Sequence, residues 1–184
     1  MSRTVLWQCV AHPMLEFFQW TNDPEVVLRG EVVGNINGIP GRVRYRVRVG
    51  ANHVTQGVRI HFWSDAGHRH LHLDRSQSDS WKVDGVMRPD LGDATDVDIG
   101  ITPATNTLPL RRFGLAVGES RDLVAAWVQF PTLSVVAAHQ RYTRTADDRY
   151  RYQSLDSGYQ AELIVRGDGL VVKYADIWHM LTIF

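Results

Sequence analysis

The chain has 184 residues, of which 44% are hydrophobic and 22% charged, a composition typical of a globular protein with one core. Its 20 Lys and Arg residues balance its 20 Asp and Glu residues, which excludes the strongly basic footprint of a general nucleic-acid or anionic-membrane binder. No segment approaches the ~20 consecutive apolar residues of a membrane-spanning helix. We therefore expect one domain over residues 1–184, with no nucleic-acid partner and no membrane span.

The N-terminal residues and the cysteine content indicate the compartment. Gln8 and His12 interrupt the first apolar stretch too early for a signal peptide. Cys9 is the single cysteine, so an internal disulfide is impossible, and its apolar neighbours predict a buried packing role. We expect a cytoplasmic protein, and its near-neutral charge favours association into a homodimer.

A period of two dominates the first third of the chain. Over residues 41–49, valine and tyrosine alternate with arginine, which predicts a strand with one apolar face and one cationic face. Residues 26–36 are rich in β-branched side chains, and the Asn37-Gly38 pair that follows predicts a hairpin between the two runs. The cationic face has two interpretations: a solvated face balanced by acids on neighbouring strands, or a surface that grips phosphates or an anionic headgroup. Its residues are Arg42, Arg44, Arg46 and Arg48.

Two further antiparallel units, a hairpin and a meander, are predicted in the same way. Residues 58–63 and 68–73 flank a short polar turn that would pair Trp63 with His68 and His61 with His70. Late in the chain, three short strands separated by glycine-containing turns predict a meander. Its strands are residues 150–152, 159–165 and 170–174.

One stretch favours a helix. Over residues 119–130, apolar side chains recur at spacings of three and four, and Pro131 marks the end. The stretch is apolar nearly all round, so the predicted helix must be covered by the sheet or by a partner.

The segment from Asp96 to Arg112 carries the candidate site. Asp96 and Asp98 alternate with apolar residues, so both carboxylates leave one face of a short strand and must stay solvated or find donors. Polar and cationic side chains follow closely, and Asp84 precedes the segment. The predicted ligand-binding residues are Asp84, Asp96, Asp98, Asn106, Thr107, Arg111 and Arg112.

This segment, with several flanking motifs, resembles the signature of the Putative glycolipid-binding family of bacterial proteins, earlier a domain of unknown function. The flanking motifs are Trp81-Lys82-Val83-Asp84-Gly85, Trp127-Val128-Gln129-Phe130-Pro131, Gln140-Arg141-Tyr142, Tyr150-Arg151-Tyr152 and Gly169-Leu170-Val171. The resemblance implies a mainly β fold: a large curved antiparallel sheet, half-barrel-like, wrapped around a single α-helix, remotely like bacterial lipoprotein carriers. It further implies an acidic pocket for a glycolipid and a role in cell-envelope glycolipid metabolism.

Other interpretations of the same residues remain open. Asp96 and Asp98 can pair with Arg111 and Arg112 as a structural ion network, or act as the two carboxylates of a glycoside hydrolase. The chain can also be a non-catalytic structural homodimer with an incidental pocket. The histidines of residues 61–72 share a face that could hold a transition metal. No P-loop, dinucleotide fingerprint, nucleophile elbow or Cys-based zinc spacing occurs, so we expect no cofactor, no metal and no catalytic residues.

Overall fold

The computed structural model describes residues 2–22, 25–50, 53–75 and 80–184. Within these ranges fifteen strands form one large curved, unclosed sheet, in which consecutive strands are neighbours except β8 and β9, which lie at its two edges. The first and last strands, β1 and β15, pair in the middle of the sheet, and all pairs are antiparallel except β9 with β10. The strands are β1 (Ser2–Cys9), β2 (Met14–Asn22), β3 (Val26–Ile36), β4 (Ile39–Val49), β5 (Thr55–Ser64), β6 (Gly67–Arg75), β7 (Trp81–Val83), β8 (Val86–Met87), β9 (Ala94–Ile99), β10 (Ser120–Gln129), β11 (Ser134–Ala146), β12 (Arg149–Ser154), β13 (Gln160–Val165), β14 (Val171–Tyr174) and β15 (Trp178–Ile183).

The predicted hairpins are confirmed. Strands β3 and β4 pair up to Ile36 and Ile39, leaving Asn37 and Gly38 as a two-residue turn with φ of 49° and 94°. Positive φ at both central positions is what a type I′ turn requires, and Asn-Gly tolerates it. In the second hairpin Trp63 pairs with His68 and His61 with His70, in the predicted register. The late meander is confirmed as β12, β13 and β14.

The predicted helix over residues 119–130 is wrong. Ser120–Gln129 is strand β10, which pairs along its length with β11. Its apolar residues alternate between two cores: Ala126 and Val128 pack into one, Leu123 and Ala125 into the other. A strand covered on both faces is apolar at nearly every position, so its sequence lacks the alternation that separates a strand from a buried helix.

The helix of the fold is α1 (Thr107–Phe113), which ends at Gly114 in the left-handed conformation. Two 3-10 turns lie at Pro89–Leu91 and Ala104–Asn106, before and after β9. Because α1 has only seven residues, no helix in the described part of the chain is long and apolar enough to cross a membrane.

Helix α1 contributes side chains to both hydrophobic cores. The first core is built mainly by β1–β6 and β9 and receives Leu108 from α1. The second core is built by β10–β14 and receives Leu110 from α1 and Leu115 from the residues after it. Thus the sheet wraps around one short helix, although the helix is not the segment that periodicity indicated. Cys9 is buried in the first core, as predicted.

Candidate functional site

A cavity of about 570 Å³ opens on the inner face of the sheet, beside the second core. We call it the aromatic cavity because five aromatic side chains line it. They are Trp127, Tyr152, Tyr159, Tyr174 and Trp178. Its volume lies in the ~300–1,000 Å³ range of ligand pockets.

The polar part of the cavity is built around Asp98. Gln140 of β11 is almost completely buried and donates from Nε2 to an Asp98 carboxylate oxygen at 2.7 Å. Burial raises the pKa of Asp98 to about 6, and the nearby Asp96 charge adds to the rise, whereas the hydrogen bonds of Gln140 and Thr105 oppose it. The side chain is therefore an ionised acceptor above pH 6 and a neutral donor below it.

Asn106 supplies a second polar group whose orientation is fixed. Tyr142 donates its hydroxyl to Asn106 Oδ1 at 2.7 Å, and Asn106 Nδ2 donates to the Pro103 carbonyl at 3.1 Å. Because both ends of the amide are bound, the side chain presents one defined edge to the cavity that it lines.

The aromatic wall depends on a close backbone approach. A Cβ at Gly100 would lie 2.8 Å from Nε1 of Trp127, so glycine lets the indole lie against the chain. On the opposite side Tyr152 lies with its ring centroid 6.2 Å from those of both Tyr159 and Tyr174. The cavity thus has an acidic floor beside flat aromatic surfaces.

The structure separates Asp96 from Asp98, although both leave the same face of β9. Asp96 Oδ1 accepts a hydrogen bond of 2.6 Å from Arg112, and the carboxylate is almost fully buried. Arg112 also reaches Thr95 and the His53 carbonyl. Asp96 therefore belongs to a structural ion pair rather than to the aromatic cavity.

The remaining predicted residues lie elsewhere. Asp84 lies in the exposed turn between β7 and β8 and accepts the His72 amide hydrogen at 2.8 Å. Arg111 lies over the Trp20 ring at 3.8 Å and lines a different cavity, together with Asp168. Thr107 is fully buried in α1. Of the predicted set, the cavity brings together Asp98 and Asn106.

The histidines of β5 and β6 contact one another directly. His61 Nδ1 and His68 Nε2 lie 3.1 Å apart and share a hydrogen bond, and the two rings stack. Within the described ranges, no group of three or more His, Cys, Asp or Glu residues is arranged to hold a metal ion.

Residues 4–180 match the model of the family described as Putative glycolipid-binding. The chain belongs to this family. A crystal structure of a DUF1089 family protein from Pseudomonas aeruginosa is similar to it, with a TM-score of 0.81 at 30% sequence identity, covering 91% of this chain and 92% of that one. Among curated proteins, none matches. The family resemblance drawn from the sequence is confirmed, and so is the mainly β fold.

Several cavity residues of this family member were not predicted from the sequence. Gln140 lies between Ala138 and Tyr142 on one face of β11, and a buried polar residue in such an alternation is the signal that could have revealed it. Trp127 was not predicted as a cavity residue because the sequence pattern assigned it to a helix. Asp156 also lines the cavity, where its carboxylate accepts hydrogen bonds from the backbone N–H and the ring of His139.

Proposed function

We propose that the aromatic cavity binds the sugar headgroup of a glycolipid. The observation that carries the proposal is the hydrogen-bonded pair of half-buried Asp98 and buried Gln140 beside an open space that is also lined by aromatic rings. Carboxylate and amide groups in fixed positions match sugar hydroxyls, and flat aromatic rings match the apolar face of a pyranose.

The cavity also suits the start of an acyl chain. Val136, Ala137 and Ile177 line it beside the polar floor. An amphiphile needs polar and apolar surfaces next to each other, and here they adjoin within one concavity. The family description, glycolipid binding, agrees with this chemistry.

Binding without turnover is the version that the contacts favour. A hydrolase built on Asp96 and Asp98 needs both carboxylates free to flank one bond, and Asp96 is paired with Arg112. Asp98 has the raised pKa of a general acid and shares the cavity with the Asp156 carboxylate, which is why turnover belongs in the test.

A first experiment identifies the ligand. Purified untagged protein is extracted with organic solvent, and the extract is analysed by mass spectrometry beside a denatured control. A stoichiometric glycolipid supports the proposal and names the lipid. Incubating the protein with that lipid and with aryl glycosides then tests for sugar release, which would replace the binding proposal with a hydrolase.

A second experiment tests the site with n-octyl β-D-glucoside below its micelle concentration, followed by tryptophan fluorescence at pH 8. Asp98→Asn should weaken binding about tenfold, since a charge-assisted hydrogen bond is lost. Asp122→Asn is the matched control, because Asp122 forms an exposed ion pair with Arg141 away from the cavity. Equal affinities for both variants, or binding by neither variant nor wild type, would refute the assignment.

We further propose that the protein serves cell-envelope glycolipid metabolism from the cytoplasm, as a homodimer. Light scattering coupled to size-exclusion chromatography tests the dimer, and fractionation tests the compartment.

A further inference from the structure

The outer face of the sheet, opposite the two cores, carries three arginines directly beside one another. Arg29 of β3 pairs with Arg46 of β4, and Arg46 pairs with Arg59 of β5. Paired residues on neighbouring strands lie about 5 Å apart, so their side chains share one line across the sheet. We call these three residues the arginine row. Gln19 and His72 extend the same line at its two ends.

The arginine row differs from the other arginines of this face in its partners. Arg44 forms a 2.9 Å ion pair with Glu31, Arg42 also reaches Glu31, and Arg48 reaches Asp74 at 3.5 Å. For the row itself, the described ranges contain no acidic group within ion-pair distance. Like charges placed directly opposite each other destabilise a sheet, so the row is an arrangement that an external anion would stabilise.

The surface around the row is recessed. A depression of about 440 Å³ contains all three arginines, and an adjoining one of about 220 Å³ shares Arg46 and Arg59 with it. In the second depression the Arg48 guanidinium lies against Gly57, where a Cβ would be 2.7 Å from it. The guanidinium groups therefore surround a concave space rather than extend from a flat surface.

The pKa of the neighbouring His61 is affected by the same local positive charge. Burial lowers the pKa of His61, and the positive charges of His68, His70, Arg44 and Arg59 lower it further. The chain as a whole has zero net charge, so this positive potential is a local feature of the outer face.

We propose that the arginine row is a binding site for a phosphorylated anion carrying at least two negative charges. Guanidinium groups bind phosphate oxygens through paired hydrogen bonds, and three adjacent ones match a multiply charged group. The site lies on the face of the sheet opposite the aromatic cavity, and it stands whether or not the cavity binds a sugar. The phosphate can belong to a free molecule or to a lipid headgroup.

The test uses inorganic pyrophosphate as the probe, with isothermal titration calorimetry on the full chain at low and at 150 mM salt. Wild type should bind, more weakly at the higher salt because exposed charges are screened. Arg46→Gln removes the centre of the row and should weaken binding at least tenfold. Arg42→Gln is the matched control: it removes the same charge from the same strand face, but from an arginine that is paired with Glu31 and stacked on Trp63.

A second arm distinguishes the source of the phosphate. Flotation with phosphatidylglycerol vesicles, with and without pyrophosphate as competitor, shows whether the row binds headgroups. Vesicle binding that pyrophosphate displaces and Arg46→Gln abolishes indicates a lipid headgroup, and pyrophosphate binding without vesicle binding indicates a free phosphorylated ligand. No binding of either probe by folded wild type, or equal losses in Arg46→Gln and Arg42→Gln, would overturn the proposal.

Discussion

The two halves of the sheet use the same alternating strands but fill their inner faces differently. In the β1–β6 half, large side chains such as Trp7, Phe18 and Phe62 are almost completely buried and complete the core themselves. In the β10–β14 half, the second core covers part of the inner face, and beyond it Trp127 and Tyr159 border an open cavity. A seven-residue helix covers only part of so broad a concave surface. The comparison indicates that the candidate binding site exists because the inner face of one half is incompletely covered. No particular sequence motif is needed to create it.

The outer faces differ as well. In the β10–β14 half the arginines meet acids across the strands, as Arg141 does with Asp122 and Arg149 with Glu162. In the β3–β5 half, three arginines face one another. The inner-face contrast underlies the proposed sugar-binding cavity, and the outer-face contrast underlies the proposed anion site in the other half.

Matched tryptophan truncations should show the largest difference between the halves. Trp7 is fully buried, and its Nε1 donates to the Val171 carbonyl at 2.8 Å, so Trp7→Ala should cost about 3–5 kcal/mol of unfolding free energy. Trp127 is 36% exposed at the cavity, so Trp127→Ala should cost under about 1 kcal/mol. Urea denaturation of both variants measures the difference. Similar losses would mean that the cavity wall is as tightly packed as the first core.

Substitutions of the two aspartates of β9 should give the next largest difference in unfolding free energy. Asp96→Asn leaves the Arg112 charge partly buried without its partner, and we expect a loss of about 3 kcal/mol. Asp98→Asn should leave stability at pH 7 unchanged or slightly higher, because an ionised buried carboxylate is replaced by a neutral amide. Chemical denaturation at pH 7 compares them. A larger loss for Asp98→Asn would assign Asp98 a structural role instead.

A buried acid in the first core should make stability depend on pH. Glu16 is fully buried and accepts hydrogen bonds from Thr102 and Tyr45, yet burial dominates and raises its pKa from 4.5 to about 7. Between these values the folded protein retains a proton that the unfolded chain releases. The contribution of Glu16 to stability is therefore fully present below pH 4.5 and is lost as pH rises through 7, by about 3 kcal/mol.

Glu16→Gln isolates that contribution. The variant should match wild type near pH 5 and exceed it at pH 8, whereas the raised pKa of Asp98 contributes equally to both proteins. Urea denaturation from pH 5 to pH 8 gives the two curves. Parallel curves would show that Glu16 is ionised throughout that range.

The smallest expected effect concerns the packing of Tyr45 in the first core. A Cβ at Gly30 would lie 2.2 Å from the Tyr45 ring, which is held in place by its bond to Glu16, so Gly30→Ala should cost about 2 kcal/mol. Gly167→Ala is the control, since nothing lies within 4 Å of a Cβ there. Thermal unfolding of both variants tests whether the first core is filled as tightly as described, and equal midpoints would contradict it.

The hairpins and the arginine face could be predicted from the sequence because local features determine them. Alternation assigns Val43 and Tyr45 to one face of β4, and Asn37-Gly38 fixes the turn before it. The family also followed from local motifs, since residues 4–180 match its model. For β10 the local pattern predicted a helix and was wrong. Both faces of that strand are covered, so its apolar and polar residues do not alternate.

Only the tertiary structure decided the roles of the two aspartates. The sequence places Asp96 and Asp98 two residues apart on one strand with the same side chain, so it makes them equivalent. Their partners lie 16 and 42 positions away, Arg112 in α1 for one and Gln140 in β11 for the other. Whether a carboxylate becomes part of an ion pair or borders a cavity depends on which distant side chain the sheet brings to it. Periodicity reports the face on which a residue lies, whereas its partner and its solvent exposure are set by the folding of the whole sheet around α1.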